Sequence, residues 1–196
     1  ADSHGERKRS IAVKKNVEGK SLTSYCGRIR EAGATAVKIV HPSSVVTAPW
    51  VRLKCQFGCG GFGYGHCCPP STPTADETRK VLDSYGRAIL IHIASPAAPD
   101  REKRFQSFLR FLVTVEENLF KDGYYKAFVF LAGPCGLCRQ CGKISGDPCR
   151  RGDQARPAME ACGIDVFQTA RNNGFVIGTL QQENETRNHF CLILVD

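Results

Sequence analysis

Apolar positions along this chain recur at two spacings, and each predicts its own elements. Leu22, Tyr25, Cys26 and Ile29 lie close to an i, i+3, i+4, i+7 stripe, which predicts a helix over residues 21–31, ended by Gly33. Phe105, Phe108, Leu109, Leu112, Val115 and Leu119 share one face of a longer helix over 100–121, opened by Asp100. Another helix is expected over 74–85, with Thr74 or Asp76 as its cap and Glu77 in its first turn. Apolar runs of strand length stand at 35–40, 88–94 and 125–131, and Asp122-Gly123 turns the chain before the last of them. Residues 45–53 read as an extended segment broken by Pro49. Two short helices are expected over 157–162 and 165–172, with Gly174 ending the second, and a closing hairpin over 175–180 and 189–195.

Strands alternate with helices through the middle of this pattern. The expected class is α/β (or α+β), a mixed β-sheet flanked by helices, in a single domain over 21–196. Two stretches fit neither period. Residues 54–73 hold four cysteines and three prolines among closely spaced glycines, and 133–152 hold four further cysteines. A loop of that length in a compact domain needs something to order it, and a bound metal would do so. Both stretches follow strands or strand-like segments, so both are expected at one end of the sheet.

Composition sharpens this picture at one point. Hydrophobic and charged contents of 42% and 23% are ordinary for a globular chain, but 11 cysteines in 196 residues are not. Their tight, clustered spacing and odd number argue for metal ligation rather than a disulfide framework. The formal charge of +8 is concentrated in Arg7, Lys8, Arg9, Lys14 and Lys15, so residues 1–20 read as a flexible basic arm. Two four-thiolate clusters at about −2 each would bring that charge to about +4. No nucleic-acid-binding motif accompanies it. No apolar run has the length of a membrane span, and residues 1–15 lack the apolar core of a secretory signal, so the expected location is cytoplasmic.

The cysteines fall into two unequal groups. In the second, Cys135, Cys138 and Cys141 form C-x2-C-x2-C, and Cys149 follows after seven residues. This resembles the bacterial ferredoxin cluster run, in which a tight turn aims thiolates at successive irons of a cubane. Small residues such as Gly136 and Gly142 are expected to let backbone amides approach the cluster. It departs from that run in the late fourth cysteine and in Pro148, which precedes it rather than following. The same four cysteines would also suit a tetrahedral zinc ion. The first group is Cys55-x3-Cys59-x7-Cys67-Cys68. Adjacent cysteines rarely serve one metal, so Cys55, Cys59 and Cys68 are the expected ligands, with Cys67 as a further candidate. If three thiolates hold a cluster here, one iron is left for water, a substrate or a residue such as His66, and would act as a Lewis acid.

Together the two loops resemble an uncharacterised bacterial and archaeal family of predicted metal-binding proteins. The first shared motif is Cys55, Cys59, Tyr64-Gly65 and Cys68-Pro69-Pro70. The second is Ala132-Gly133-Pro134-Cys135-x-Leu137-Cys138-x-x-Cys141, then Pro148-Cys149-Arg150 and the run from Arg156 through Met159-Glu160-Ala161 to Val166. The likeness covers roughly residues 51–174. The glycine-rich insert 58–63 and the extra Cys67 depart from it. The resemblance implies a metal and not a reaction.

Three functional readings follow. The leading one is a redox protein that holds two [4Fe-4S] clusters and exchanges electrons with a partner protein. The second is an enzyme whose open iron at Cys55, Cys59 and Cys68 activates a small-molecule substrate. The third is a zinc protein serving structure or interaction. Outside the clusters, Cys26, Cys162 and Cys191 read as bystanders, Cys191 as a small core residue and Cys162 as packing beside the second cluster. His41 and His92 read as satisfied structural histidines. Arg139, Arg150, Arg151 and Arg156 form a basic rim that would offset cluster charge or receive an anion. The glycine-rich stretch 58–65 lacks the lysine and the strand–helix frame of a phosphate loop.

Overall fold

A computed structural model describes residues 21–196. The arm expected over 1–20 lies outside the described residues. The elements run α1 (Leu22–Glu31), β1 (Ala36–Val40), α2 (Trp50–Gly58), α3 (Ala75–Leu82), β2 (Ala88–Ser95), α4 (Arg101–Lys121), β3 (Phe128–Phe130), α5 (Val166–Asn172) and β4 (Arg187–Leu194). Short 3-10 turns stand at Pro42–Ser44, Gly142–Ser145 and Glu160–Cys162.

The strands form one sheet in the order β1-β2-β4-β3, and every pairing is antiparallel. An isolated parallel bridge joins Leu131 to Ala158 beside β3. This is the expected helix-and-sheet class, with its strands antiparallel. Because side chains alternate across a strand, the sheet feeds two cores. Ile89, Ile91 and Ile93 of β2 and Cys191 and Ile193 of β4 meet α1 and α4 on one face. Leu90 of β2 and Phe190, Leu192 and Leu194 of β4 meet Leu82, Met159, Cys162, Ile164 and Ala170 on the other. The sheet is therefore sandwiched between helical layers.

Local chemistry explains most boundaries. Thr74 and Glu77 close a full capping box on α3, the threonine hydroxyl accepting from the Glu77 amide and the carboxylate from the Thr74 amide. Ser21 and Asp165 cap α1 and α5 in the same way from one side.

Three expectations are corrected. Residues 50–58 are helical, where an extended segment and then a loop were expected. Pro49 sits at the start of α2 with φ −59° and ψ −31°, the place where a missing amide costs a helix nothing. Residues 175–180 form no strand, and no closing hairpin exists. β4, their expected hairpin partner, already has β2 on one side and β3 on the other, so it has no free edge for them. Instead Phe175 and Ile177 pack as side chains against the second core. The strand expected over 125–131 shortens to the three residues Phe128–Phe130.

Candidate metal centre

The two cysteine loops reach one place from different directions. The first leaves the last turn of α2, so Cys55 lies inside the helix and Cys59 just past its end. A spacing of four puts both on one side of a helix, which is the physical content of C-x3-C. The second loop leaves β3 and turns at Gly133, whose φ is +73°. The chain then returns past β3. The Leu131 amide donates to Pro157 O at 2.8 Å and the Met159 amide to Leu131 O at 2.9 Å. This lays 157–160 beside the start of the second loop. Both loops thus meet beyond the C-terminal end of β3.

The end of the first loop and the helix α3 that follows it are anchored underneath by buried hydroxyls. Thr72 Oγ1 donates to Ala161 O at 2.5 Å and Thr78 Oγ1 to Cys162 O at 2.7 Å. Arg52 of α2 donates to Thr72 O and Pro73 O at 3.2 and 3.0 Å. Between the loops, His66 Nε2 stands 2.9 Å from Asp147 O, and Lys143 Nζ hydrogen-bonds Ser71 Oγ. His66 therefore ties the two loops together.

All eleven cysteines are free thiols. Eight of them line two adjoining cavities. One, of about 160 Å³, is lined by Cys55, Cys59, Cys67, Cys68 and Glu160. The other, of about 260 Å³, is lined by Cys67, Cys68, Cys135, Cys138, Cys141 and Cys149. The Cys67-Cys68 pair is the wall between them, and its two thiols have different neighbours. Burial and the nearby Cys59 and Cys55 push the Cys68 thiol up. Cys67 instead hydrogen-bonds Cys135 across the loops. That bond raises the Cys67 thiol and, with the Leu137 amide, lowers Cys135 to about 6. Cys67 is thus the donor of the pair and Cys135 the acceptor.

Amide-to-sulfur contacts occur in both loops. Gly61 N donates to Cys59 Sγ at 3.4 Å, and the Leu137 amide serves Cys135. The glycines expected to admit such contacts do something else. A Cβ on Gly142 would stand 2.8 Å from Pro148 O, and one on Gly136 would stand 3.0 Å from Gln106 Oε1. Their smallness closes the loop on itself and seats it on α4.

Among the described residues no three His, Cys, Asp or Glu side chains converge tightly on one point as a single ion requires. The thiols face one another across cavities instead. Thiolate donors in this number suit zinc, cuprous copper or iron–sulfur clusters.

The remaining candidates separate cleanly. Cys26 and Cys191 are core residues of the first layer. Cys162 is buried in the second core, and its charged neighbours are Arg52 and Glu160. It therefore lies on the side of the first loop, not of the second as expected. His92 stacks on Phe190 at 4.8 Å with Nε2 2.8 Å from Asn188 Oδ1, and His41 Nδ1 accepts from the Ser43 amide at 3.2 Å, so both are satisfied. Of the basic rim, Arg150 pairs with Asp147 at 3.6 Å and Arg151 donates to Gln154 at 2.6 Å. Arg156 is a core cation, with a 2.5 Å ion pair to Glu116.

Glu160 is the site residue that the sequence pattern does not disclose. It falls within the short helix expected over 157–162, and only its place in the motif run sets it apart.

The sequence matches, over residues 38–195, the family described as predicted metal-binding protein (DUF2284), a family of unknown function. No curated protein and no solved structure matches the chain.

Proposed function

The chain belongs to this family of predicted metal-binding proteins, and we propose that it holds two [4Fe-4S] clusters in the adjoining cavities and works as a redox protein. Cys135, Cys138, Cys141 and Cys149 are the proposed ligands of one centre, and Cys55, Cys59 and Cys68 of the other. Clusters bound there would supply one-electron carriers at a wall only one residue pair thick.

The observation that carries this reading is the division of labour in that wall. Both residues line both cavities, but Cys67 hydrogen-bonds Cys135 while Cys68 is influenced most by Cys59 and Cys55, ahead of Cys135 and Cys141, so one peptide link serves both cavities. Cys67 then serves the second centre as a hydrogen-bonding or alternative thiol. Amide donors on Cys59 and Cys135 support the same reading, because hydrogen bonds to cluster sulfurs tune the potential. Cys59 and Cys135 are also the two exposed thiols of the site, which brings an electron path to the surface for a partner protein or a small-molecule acceptor. Free cysteines throughout suit a reducing, cytoplasmic setting. No helix among the described residues is long and apolar enough to cross a membrane.

Replacing the adjacent cysteines one at a time tests the division. Cys68→Ser is expected to lose about half of the iron and to leave the reduced second centre's paramagnetic resonance intact. Cys67→Ser is expected to keep the iron and alter only the second centre's signal. Identical iron loss and identical spectra from the two variants would contradict the assignment.

A further inference from the structure

Of the four cysteines that line the first cavity, Cys67 hydrogen-bonds Cys135 of the second loop, which leaves Cys55, Cys59 and Cys68 as its three remaining thiol donors. A fourth donor from elsewhere in the chain does line the same cavity, and it is Glu160. It also lines the adjoining cavity of about 600 Å³ that reaches Cys55 and Cys59 from the side of His189 and Phe190.

The position of this side chain is fixed by its backbone. Glu160 opens the 3-10 turn Glu160–Cys162. The turn is held by the Met159 amide on Leu131 and by the hydroxyls of Thr72 and Thr78 on Ala161 O and Cys162 O. It ends at Gly163, at φ +76° and tight against Ala75.

Glu160 Oε2 is sealed from solvent and has no hydrogen-bond partner. None of the ion pairs among the described residues includes Glu160. Its electrostatic neighbours include the thiols of Cys55, Cys162 and Cys191, each of which a Glu160 carboxylate pushes up, so none of them stabilises an anion there. Burial pushes the Glu160 carboxyl up, with only its own amide in opposition. Buried polar oxygens are almost always satisfied, and an orphan marks a missing proton partner, water or ion. A buried carboxylate among thiols becomes favourable when a cation joins them.

We propose that Glu160 is the fourth protein ligand of the first centre, giving three thiolates and one carboxylate oxygen. This deepens the two-cluster reading and rests on it. The consequence is one iron unlike the others, held by a harder and more exchangeable donor than thiolate.

The test uses the full chain, reconstituted without oxygen with iron-57 and sulfide, as wild type, E160Q and E160C. The Mössbauer spectrum of the wild type is expected to contain a minority iron component distinct from the tetrathiolate irons. E160Q is expected to lose that component, and about half of its iron with it, while the second centre's spectrum stays unchanged. E160C is expected to recover the iron with an all-thiolate spectrum. In the metal-free state E160Q is expected to melt no lower than wild type, because it removes a buried acid without a partner. A fully loaded E160Q with the wild-type spectrum would overturn the ligand assignment and leave the two clusters standing. Failure of both variants to fold would also overturn it, by making the carboxylate a structural group. A wild type that takes up no iron and sulfide would instead sink the cluster reading beneath it.

Discussion

Arg156 and Glu116 decide how the basic residues around the second loop are to be understood. Their side chains are only 14% and 9% exposed. Glu116 accepts two bonds from Arg156 Nε, at 3.1 and 3.0 Å, and one from the Val129 amide at 2.6 Å. The arginine also lies over the Phe128 ring at 5.6 Å. The pair fastens α4 to β3 at the root of the second loop. Removing one partner strands a buried charge, which typically costs about 3–5 kcal/mol. Glu116→Ala is therefore expected to lower stability to urea by about that amount, read as a lower midpoint at unchanged slope. Other single residues divide by how local their signal is. The eight clustered cysteines stand out by spacing alone. The different thiol partners of Cys67 and Cys68 do not, because neighbouring residues share one sequence context and part only when two loops meet. Glu160 is hidden for a similar reason, since a carboxylate in a short helical run reads as a solvated position until its surroundings are known.

At the scale of elements, α1, α3, α4, α5 and β2 follow the apolar period and the capping residues closely. Each carries its own signal within its own length. The elements that escape the pattern are those decided from a distance. Trp50, Leu53 and Phe57 of α2 remain exposed, so its apolar residues do not mark the buried stripe by which a helix is usually recognised. Residues 175–180 have a strand-like composition, but β4, their expected hairpin partner, is paired on both sides. The turn at Gly163 joins this scale to the site. A Cβ there would stand 2.8 Å from both Cα and Cβ of Ala75, in a left-handed conformation that suits glycine. The strain alone is about 1–3 kcal/mol for a non-glycine residue. Gly163→Ala is expected to lower the denaturation midpoint accordingly. It is also expected to weaken metal retention, because the turn it disturbs carries Glu160.

For the whole molecule, the two helical layers and the antiparallel sheet serve as a frame that brings two distant loops together. Chain order leaves 55–68 and 135–149 well apart, separated by α3, β2, α4 and β3. Folding joins them through Cys67 and Cys135, His66 and Asp147, and Ser71 and Lys143. That meeting turns two cysteine groups into two cavities with a common wall, and the redox account rests on it. The most direct measurement is the iron, acid-labile sulfide and zinc content per chain after purification without oxygen. The account predicts about eight irons and eight sulfides, with no stoichiometric zinc. Zinc without sulfide, or iron and sulfide enough for a single cluster, would contradict it.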